Sequence, residues 1–167
     1  MKNTFLIYSS AIFIDGSKGF GSVNNEAREF IKEILLRGDD VLFLLSDNHT
    51  GKGQQKITEE IINIKTEIKN QRPYYFLSEP TLIEKEIKKV CDLAKENKSN
   101  VYVIGKKFHS EVLPALNLMC LSILLLDKFD EKTKGDVKAH WYKGGCKVYQ
   151  YDNNLKHLLY DYNHGLL

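Results

Sequence analysis

The 167-residue sequence has few cysteines, little excess of either charge and no long hydrophobic segment. Its three cysteines, Cys91, Cys120 and Cys146, are far apart and include no Cys-x-x-Cys pair, which argues against a disulfide framework and against a zinc site. No stretch approaches membrane-spanning length. The 24 lysines and arginines against 22 aspartates and glutamates give a net charge of +2. We therefore expect neither nucleic acid nor a membrane as a partner.

The cysteine usage favours a reducing, cytoplasmic location. Lys2 and the largely apolar run from Phe5 to Ile14 resemble a short signal peptide, but no small-residue cleavage site precedes a polar region. A composition of 43% hydrophobic and 28% charged residues is ordinary for a folded globular chain of this length. The sequence thus predicts a single domain over residues 1–167, with a core over about 5–127 and a C-terminal strand and helix extension over 128–167.

Apolar segments alternate with helical patterns along the chain. Short runs rich in β-branched and aromatic residues predict buried strands, and apolar residues at helical spacing predict the helices between them. Strand and helix in alternation imply right-handed crossovers and a parallel sheet with helices on both faces. The pattern therefore predicts a doubly wound α/β fold with a mostly parallel five-stranded sheet. The predicted strands are 5–14, 41–45, 74–77, 101–104 and 121–126.

Polar side chains follow these predicted strands. Ligands of open α/β sheets bind outside the carboxyl ends of the strands, so such residues are candidates for one site. Asp15 stops the first apolar run, and Gly16 after it permits a sharp turn. An Asp-Gly pair also commonly opens a loop, and that interpretation remains open for Asp15. The other predicted strand ends carry Ser46 and Asp47, then Glu79, then Gly105 and Lys106, then Asp127.

The succession of these residues resembles the haloacid dehalogenase (HAD) superfamily of phosphatases. In that family strand one ends in Asp-x-Asp-Gly, strand two in Thr or Ser, a Lys-Pro pair precedes the next helix, and strand four ends in Gly-Asp with a second acid four or five positions on. The resemblance runs from about Phe5 to Asp127. It implies a HAD-like Rossmannoid three-layer fold. No cap domain is expected, because the chain lacks the long insertions in which the family's caps lie.

The resemblance also implies roles for individual residues. Phe13 stands at the position of the nucleophilic aspartate, where a phenyl ring can neither attack phosphorus nor bind magnesium. Asp15 matches the family's general acid/base, and Ser46 matches the hydroxyl that binds the phosphate. The resemblance thus implies an acid/base position without its nucleophile.

Charges at two further positions are the reverse of the family pattern. Glu79 stands where the family has lysine, and Lys106 stands where it has a metal-binding aspartate. Glu111, five residues after Lys106, could still supply acidic support. Because an ammonium group repels a metal cation, we expect no metal site and no cofactor, with Mg²⁺ required only if the protein is an enzyme. Lys106 is expected to pair with Glu79 or Asp15, unless these are solvated loop charges.

The leading hypothesis is a capless HAD-like protein that binds a protein partner or a phosphorylated ligand without hydrolysing it. An open strand edge cannot enclose a small substrate, which favours a large ligand. One alternative is a Mg²⁺-dependent phosphomonoester hydrolase with an atypical active site, for which Ser17 or Ser46 would be the nucleophile. Another is a metal-dependent nuclease, which a missing basic surface disfavours. Its carboxylates would be Asp15, Asp47, Asp127 and Asp130.

Overall fold

A computed structural model of the chain has a six-stranded sheet with helices on both faces. The strands are β1 (Asn3–Tyr8), β2 (Asp40–Leu44), β3 (Tyr75–Leu77), β4 (Asn100–Gly105), β5 (Leu121–Leu126) and β6 (Cys146–Gln150). The α-helices are α1 (Asn25–Leu36), α2 (Lys52–Glu67), α3 (Ile83–Glu96), α4 (Leu113–Asn117) and α5 (Asn154–Asn163). The structure describes residues 2–11, 25–44, 52–69, 75–77, 83–96, 100–118, 120–126, 131–132, 135–136, 146–150 and 154–167.

Neighbouring strands pair in parallel throughout, in the order β3-β2-β1-β4-β5-β6. The chain moves outward from β1 to β3, then returns to place β4 on the other side of β1. The strand order therefore reverses between β1 and β4, which is the position where open α/β sheets bind ligands. The predicted doubly wound α/β fold is confirmed. A sixth strand, parallel to β5, extends the five that the sequence predicts.

Alternate residues of β1 face opposite sides of the sheet, as the two-residue repeat of a strand requires. Phe5 and Ile7 belong to a core cluster that includes residues of α1, α2 and α5. Leu6 and Tyr8 belong to a second cluster that includes residues of α3 and α4. Because both faces of β1 are buried from Phe5 to Tyr8, all four of these residues are aliphatic or aromatic. This burial produces the three-layer architecture.

The first strand ends earlier than its apolar run predicts. β1 stops at Tyr8, and a 3₁₀ turn follows at Ser9–Ala11. The paired neighbours explain this end, because Tyr8 lies opposite Leu44, the last residue of β2, and β4 ends at Gly105. A backbone without partners on either side gains no ladder hydrogen bonds by staying extended. The strand predicted to continue to residue 14 is therefore wrong at its carboxyl end.

Two of the three cysteines meet in the fold. Cys91 on α3 and Cys120, just before β5, form a disulfide in the second core cluster, although 29 positions separate them in sequence. Cysteine spacing argued against such a pair. The two residues come together because α3 and α4 pack on the same face of the sheet. Among the described residues, no helix is both long and apolar enough to cross a membrane.

Candidate functional site

A buried carboxylate lies at the carboxyl ends of β1 and β4, where the strand order reverses. The side chain belongs to Glu111, which is 2% exposed. The Ser10 hydroxyl lies 2.8 and 3.0 Å from its two oxygens and donates a hydrogen bond to the carboxylate. The backbone N–H groups of Lys106 and Lys107 donate to Oε2 over 2.8 and 3.1 Å. Three donors from two strand ends therefore converge on one carboxylate.

An irregular helix turn directs Glu111 back towards the strands. Residues Phe108–Val112 form a π-helix, in which the N–H of Val112 donates to the carbonyl of Lys107 five residues earlier. Such turns are rare and recur at functional sites. The α-helix that follows has Pro114 in its first turn, where a missing N–H costs nothing. The sequence pattern predicts a short helix over about 112–120, and in the structure α4 covers Leu113–Asn117 of that segment, directly after the π-helix.

Gly105 makes room for this carboxylate at the end of β4. A Cβ atom at position 105 would lie 2.7 Å from Oε2 and 2.9 Å from the Cβ of Glu111. Contacts that short would force one of the two residues to move. The glycine is thus required by the close approach of the Glu111 side chain.

Positive and ionisable groups surround the end of β4. Lys106 is half-buried and Lys107 is exposed. His109, whose side chain is 64% exposed, has its Nε2 atom 2.9 Å from Oδ2 of Asp136. Among the described residues at this end, Lys106 and Lys107 are the accessible side chains with a fixed positive charge, while the Asp136 carboxylate pairs with His109. An anionic ligand is the natural complement of such a surface.

Only two of the predicted site residues lie in the described part of the chain. The structure places Lys106 and Glu111 together, through a backbone hydrogen bond instead of through the lysine ammonium. The predicted pairing of Lys106 with Glu79 or Asp15 therefore stays a prediction. Outside the described ranges lie Phe13, Asp15, Gly16, Ser46, Asp47 and Glu79, together with Ser17, Asp127 and Asp130 of the alternative hypotheses.

Ser10 is the site residue that sequence reasoning missed. It lies within the first apolar run, which the sequence assigns to a strand, so its hydroxyl was not considered as a site residue. The adjacent pair Ser9-Ser10 was the available indication, since two hydroxyls in succession are unusual in a strand buried on both faces. No carboxylate stands among the three residues after β1, which are Ser9, Ser10 and Ala11.

The described residues contain no group of three or more His, Cys, Asp or Glu side chains that could hold a metal ion. Glu111 is one carboxylate, and its oxygens accept hydrogen bonds from Ser10 and two backbone amides. Mg²⁺ requires octahedral oxygen coordination and usually at least one carboxylate that can turn towards it. To bind the ion, Glu111 would have to give up hydrogen bonds from these donors. These residues therefore fit a magnesium ion poorly.

No protein-family model matches the sequence, and no curated protein matches it either. Among solved structures, the chain is similar to a D,D-heptose 1,7-bisphosphate phosphatase from Burkholderia thailandensis. The two share a TM-score of 0.57 at 12% sequence identity, and the match covers 97% of this chain and 99% of the phosphatase chain. Similarity at this identity shows that the two chains share a fold. The described residues include no inserted cap domain.

Proposed function

We propose that this protein is a phosphatase-fold binding or regulatory module that lacks aspartyl-phosphate catalysis. Its ligand would be a phosphorylated molecule or a protein partner. The observation that carries the proposal is the closed arrangement around Glu111 at the switch point of the sheet. There a phosphatase of this fold would need carboxylates free to bind metal and attack phosphorus.

The residues at the two central strand ends support this proposal. After β1 the chain presents hydroxyl and methyl groups at Ser9, Ser10 and Ala11, and after β4 it presents Lys106 and Lys107. A magnesium ion between these ends would meet ammonium groups and a carboxylate engaged by other donors. The same groups can receive a phosphate, because lysine binds phosphoryl oxygens as a point charge. Binding without metal-assisted hydrolysis is thus the chemistry that these residues favour.

The proposed lack of catalysis is tested by an assay for magnesium-dependent hydrolysis of a chromogenic phosphomonoester. We expect purified wild-type protein to show no turnover above the buffer rate, with or without Mg²⁺. Turnover by the wild type that disappears on Asp15→Asn would overturn the proposal and establish an active phosphatase. Calorimetric titration with Mg²⁺ is an independent measurement, and a stoichiometric site of micromolar affinity would contradict the proposal equally.

One contact of Ser10 supports the alternative of a phosphomonoester hydrolase with an atypical active site. Its hydroxyl donates to a carboxylate at 2.8 Å, and a serine nucleophile needs a base at such a distance. Against it, Ser10 is 9% exposed, and the two nearby N–H groups already donate to Glu111. Activity that survives Asp15→Asn but disappears on Ser10→Ala, at unchanged folding, would favour this alternative.

The binding proposal is tested separately by nuclear magnetic resonance during titration with inorganic phosphate. We expect the amide resonances of Lys106 and Lys107 to shift on titration in the wild type. The shifts should weaken in Lys107→Ala and persist in Lys88→Ala, a matched control whose exposed lysine lies on α3. Identical titrations of the two variants would reject a phosphate site here and leave a protein partner as the ligand class.

A further inference from the structure

A polar cleft lies at the opposite, amino-terminal end of the sheet. It has a volume of about 410 Å³ and is lined by residues of β1 and β4, by the turn between α1 and β2, and by the end of α5. That volume lies within the range of small-molecule sites in proteins. We name it the basal cleft. Its polar side chains that bear on ligand binding are Arg37, Asp39, Tyr102 and Tyr162.

Asp39 forms the floor of the basal cleft and is 8% exposed. Its Oδ1 accepts a hydrogen bond from the backbone N–H of Asn3 over 3.0 Å. Its Oδ2 accepts from the Asn3 side-chain amide over 3.2 Å and from the Tyr162 hydroxyl over 2.7 Å. A carboxylate can accept about four hydrogen bonds, and here all three donors are neutral. No ion pair neutralises Asp39 within the described part of the chain, so its charge remains available to a cation.

Tyr102 forms a wall of the cleft with its ring stacked on Phe5 and is 7% exposed. Its hydroxyl forms no hydrogen bond within the described ranges. Burial and the nearby Asp39 charge raise the pKa of Tyr102, so the hydroxyl stays protonated as a donor. The hydroxyl is not a buried atom, and water or a ligand in the cleft can accept its hydrogen bond. It therefore offers one hydrogen-bond donor to a molecule in the cleft.

Arg37 stands at the rim, with 40% of its side chain exposed. Its guanidinium lies 4.6 Å from the centre of the Tyr162 ring and donates to the Tyr162 carbonyl and to the side chain of Asn163. Its Nε lies 3.9 Å from Oε2 of Glu33, a solvent-exposed ion pair that offsets part of its charge only weakly. These contacts fix the planar group in place and leave some of its five donors for another molecule. A carboxylate is the partner that this fork geometry fits well.

We propose that the basal cleft binds a small zwitterion of the α-amino acid class. The ammonium group of the ligand would lie against Asp39 and its carboxylate against Arg37, while the Tyr102 hydroxyl donates to the ligand. One buried negative charge and one rim positive charge, both beside the Tyr162 ring, match the two charges of such a molecule. A simple anion could bind Arg37 but would be repelled by Asp39. A simple amine could bind Asp39 but would be repelled by Arg37.

The test is ligand-observed nuclear magnetic resonance with the standard L-amino acids, followed by calorimetry on those that bind. Propionate, ethylamine and inorganic phosphate are the matched probes, because each carries one charged group only. We expect at least one amino acid to bind at least tenfold more tightly than any of these probes. Equal binding of propionate, ethylamine or phosphate would overturn the zwitterion proposal, and absence of binding by every amino acid would overturn it too.

Substitutions in the basal cleft test whether a bound amino acid lies there. Tyr102→Phe keeps the ring and removes the hydroxyl, and we expect it to weaken amino-acid affinity about tenfold, equivalent to about 1.4 kcal/mol. Arg37→Gln should weaken it by a similar factor. Tyr160→Phe is the control, because Tyr160 is an exposed tyrosine on α5 that does not line the cleft. Equal affinities of Tyr102→Phe and Tyr160→Phe, at matched thermal stability, would place any bound amino acid elsewhere and reject the cleft.

Discussion

Two buried carboxylates lie at opposite ends of β1 and are held in the same way. Glu111 meets Ser10 beyond the strand's carboxyl end, and Asp39 meets Asn3 at its amino end. Each accepts hydrogen bonds from three donors, at least one of which is a backbone N–H group. The difference is the space beside them. Glu111 is enclosed by the end of β4, whereas Asp39 borders an open cleft.

The same pattern of three donors around a carboxylate can therefore serve structure at one end of β1 and ligand binding at the other. An enclosed carboxylate has no space beside it for a ligand. Its hydrogen bonds to donors after β1 and after β4 hold these two strand ends together. A carboxylate beside a cleft can satisfy donors and also receive a ligand. Glu111 is 2% exposed, whereas Asp39 is 8% exposed and lines a cleft, so we expect removal of each carboxylate to have unequal consequences.

The largest effect is expected from Glu111→Ala. The substitution leaves the Ser10 hydroxyl and the amides of Lys106 and Lys107 unsatisfied in a closed space, and we expect a loss of about 3 to 5 kcal/mol in the free energy of unfolding. Glu111→Gln keeps an acceptor oxygen and should lose less than half of that. Urea denaturation measures both. A loss under about 1 kcal/mol for Glu111→Ala would show that the site is not closed.

Gly105→Ala tests the enclosure directly. Its new Cβ would meet Glu111 at 2.7 and 2.9 Å, so we expect a loss of about 2 to 3 kcal/mol through displacement of the carboxylate. The double variant Gly105→Ala/Glu111→Ala should lose less than the sum of the single losses, because the obstructing group is gone. Strict additivity in this double-mutant cycle, measured by urea denaturation, would contradict the described contact.

Asp39→Ala is expected to cost about 1 to 2 kcal/mol, less than Glu111→Ala. It removes the same number of hydrogen bonds, but water in the basal cleft can satisfy the Asn3 amide and the Tyr162 hydroxyl. Asp39→Asn is the conservative control. If Asp39→Ala destabilised the protein as much as Glu111→Ala, access to water would not distinguish the two carboxylates.

The smallest effect is expected from Tyr162→Phe, about 1 kcal/mol at neutral pH, for the lost hydrogen bond to Asp39. Burial and this hydrogen bond to a carboxylate raise the pKa of Tyr162 above its ordinary value. A raised folded-state pKa gives stability that is complete below the unfolded pKa of about 10 and decreases above it.

The wild type should consequently lose stability above about pH 10, by up to about 1.4 kcal/mol per pH unit for this tyrosine. Tyr162→Phe should lose less, so the two unfolding free energies should converge as pH rises. Urea denaturation from about pH 8 to about pH 11 measures this convergence. Parallel curves would show that Tyr162 ionises alike in the folded and unfolded chain.

The sequence by itself determined the alternation of strands and helices. The apolar runs at 41–45, 101–104 and 121–126 became β2, β4 and β5 to within a residue at either end, because a strand buried on both faces must be apolar throughout. The same alternation fixed the parallel sheet, since parallel neighbours need a crossover between them. Lys106, directly after β4, and Glu111, five residues later, were singled out through the family resemblance, and their role as site residues stays a prediction.

Only the tertiary structure decided where β1 ends and which side chains meet. β1 stops at Tyr8 because its pairing partners stop, and a run of apolar residues carries no record of its neighbours' lengths. Ser10 meets Glu111 across 101 positions and Tyr162 meets Asp39 across 123. Local patterns report burial and backbone preference over one element. Contacts between distant elements depend on strand order and register, which are set when the whole core packs.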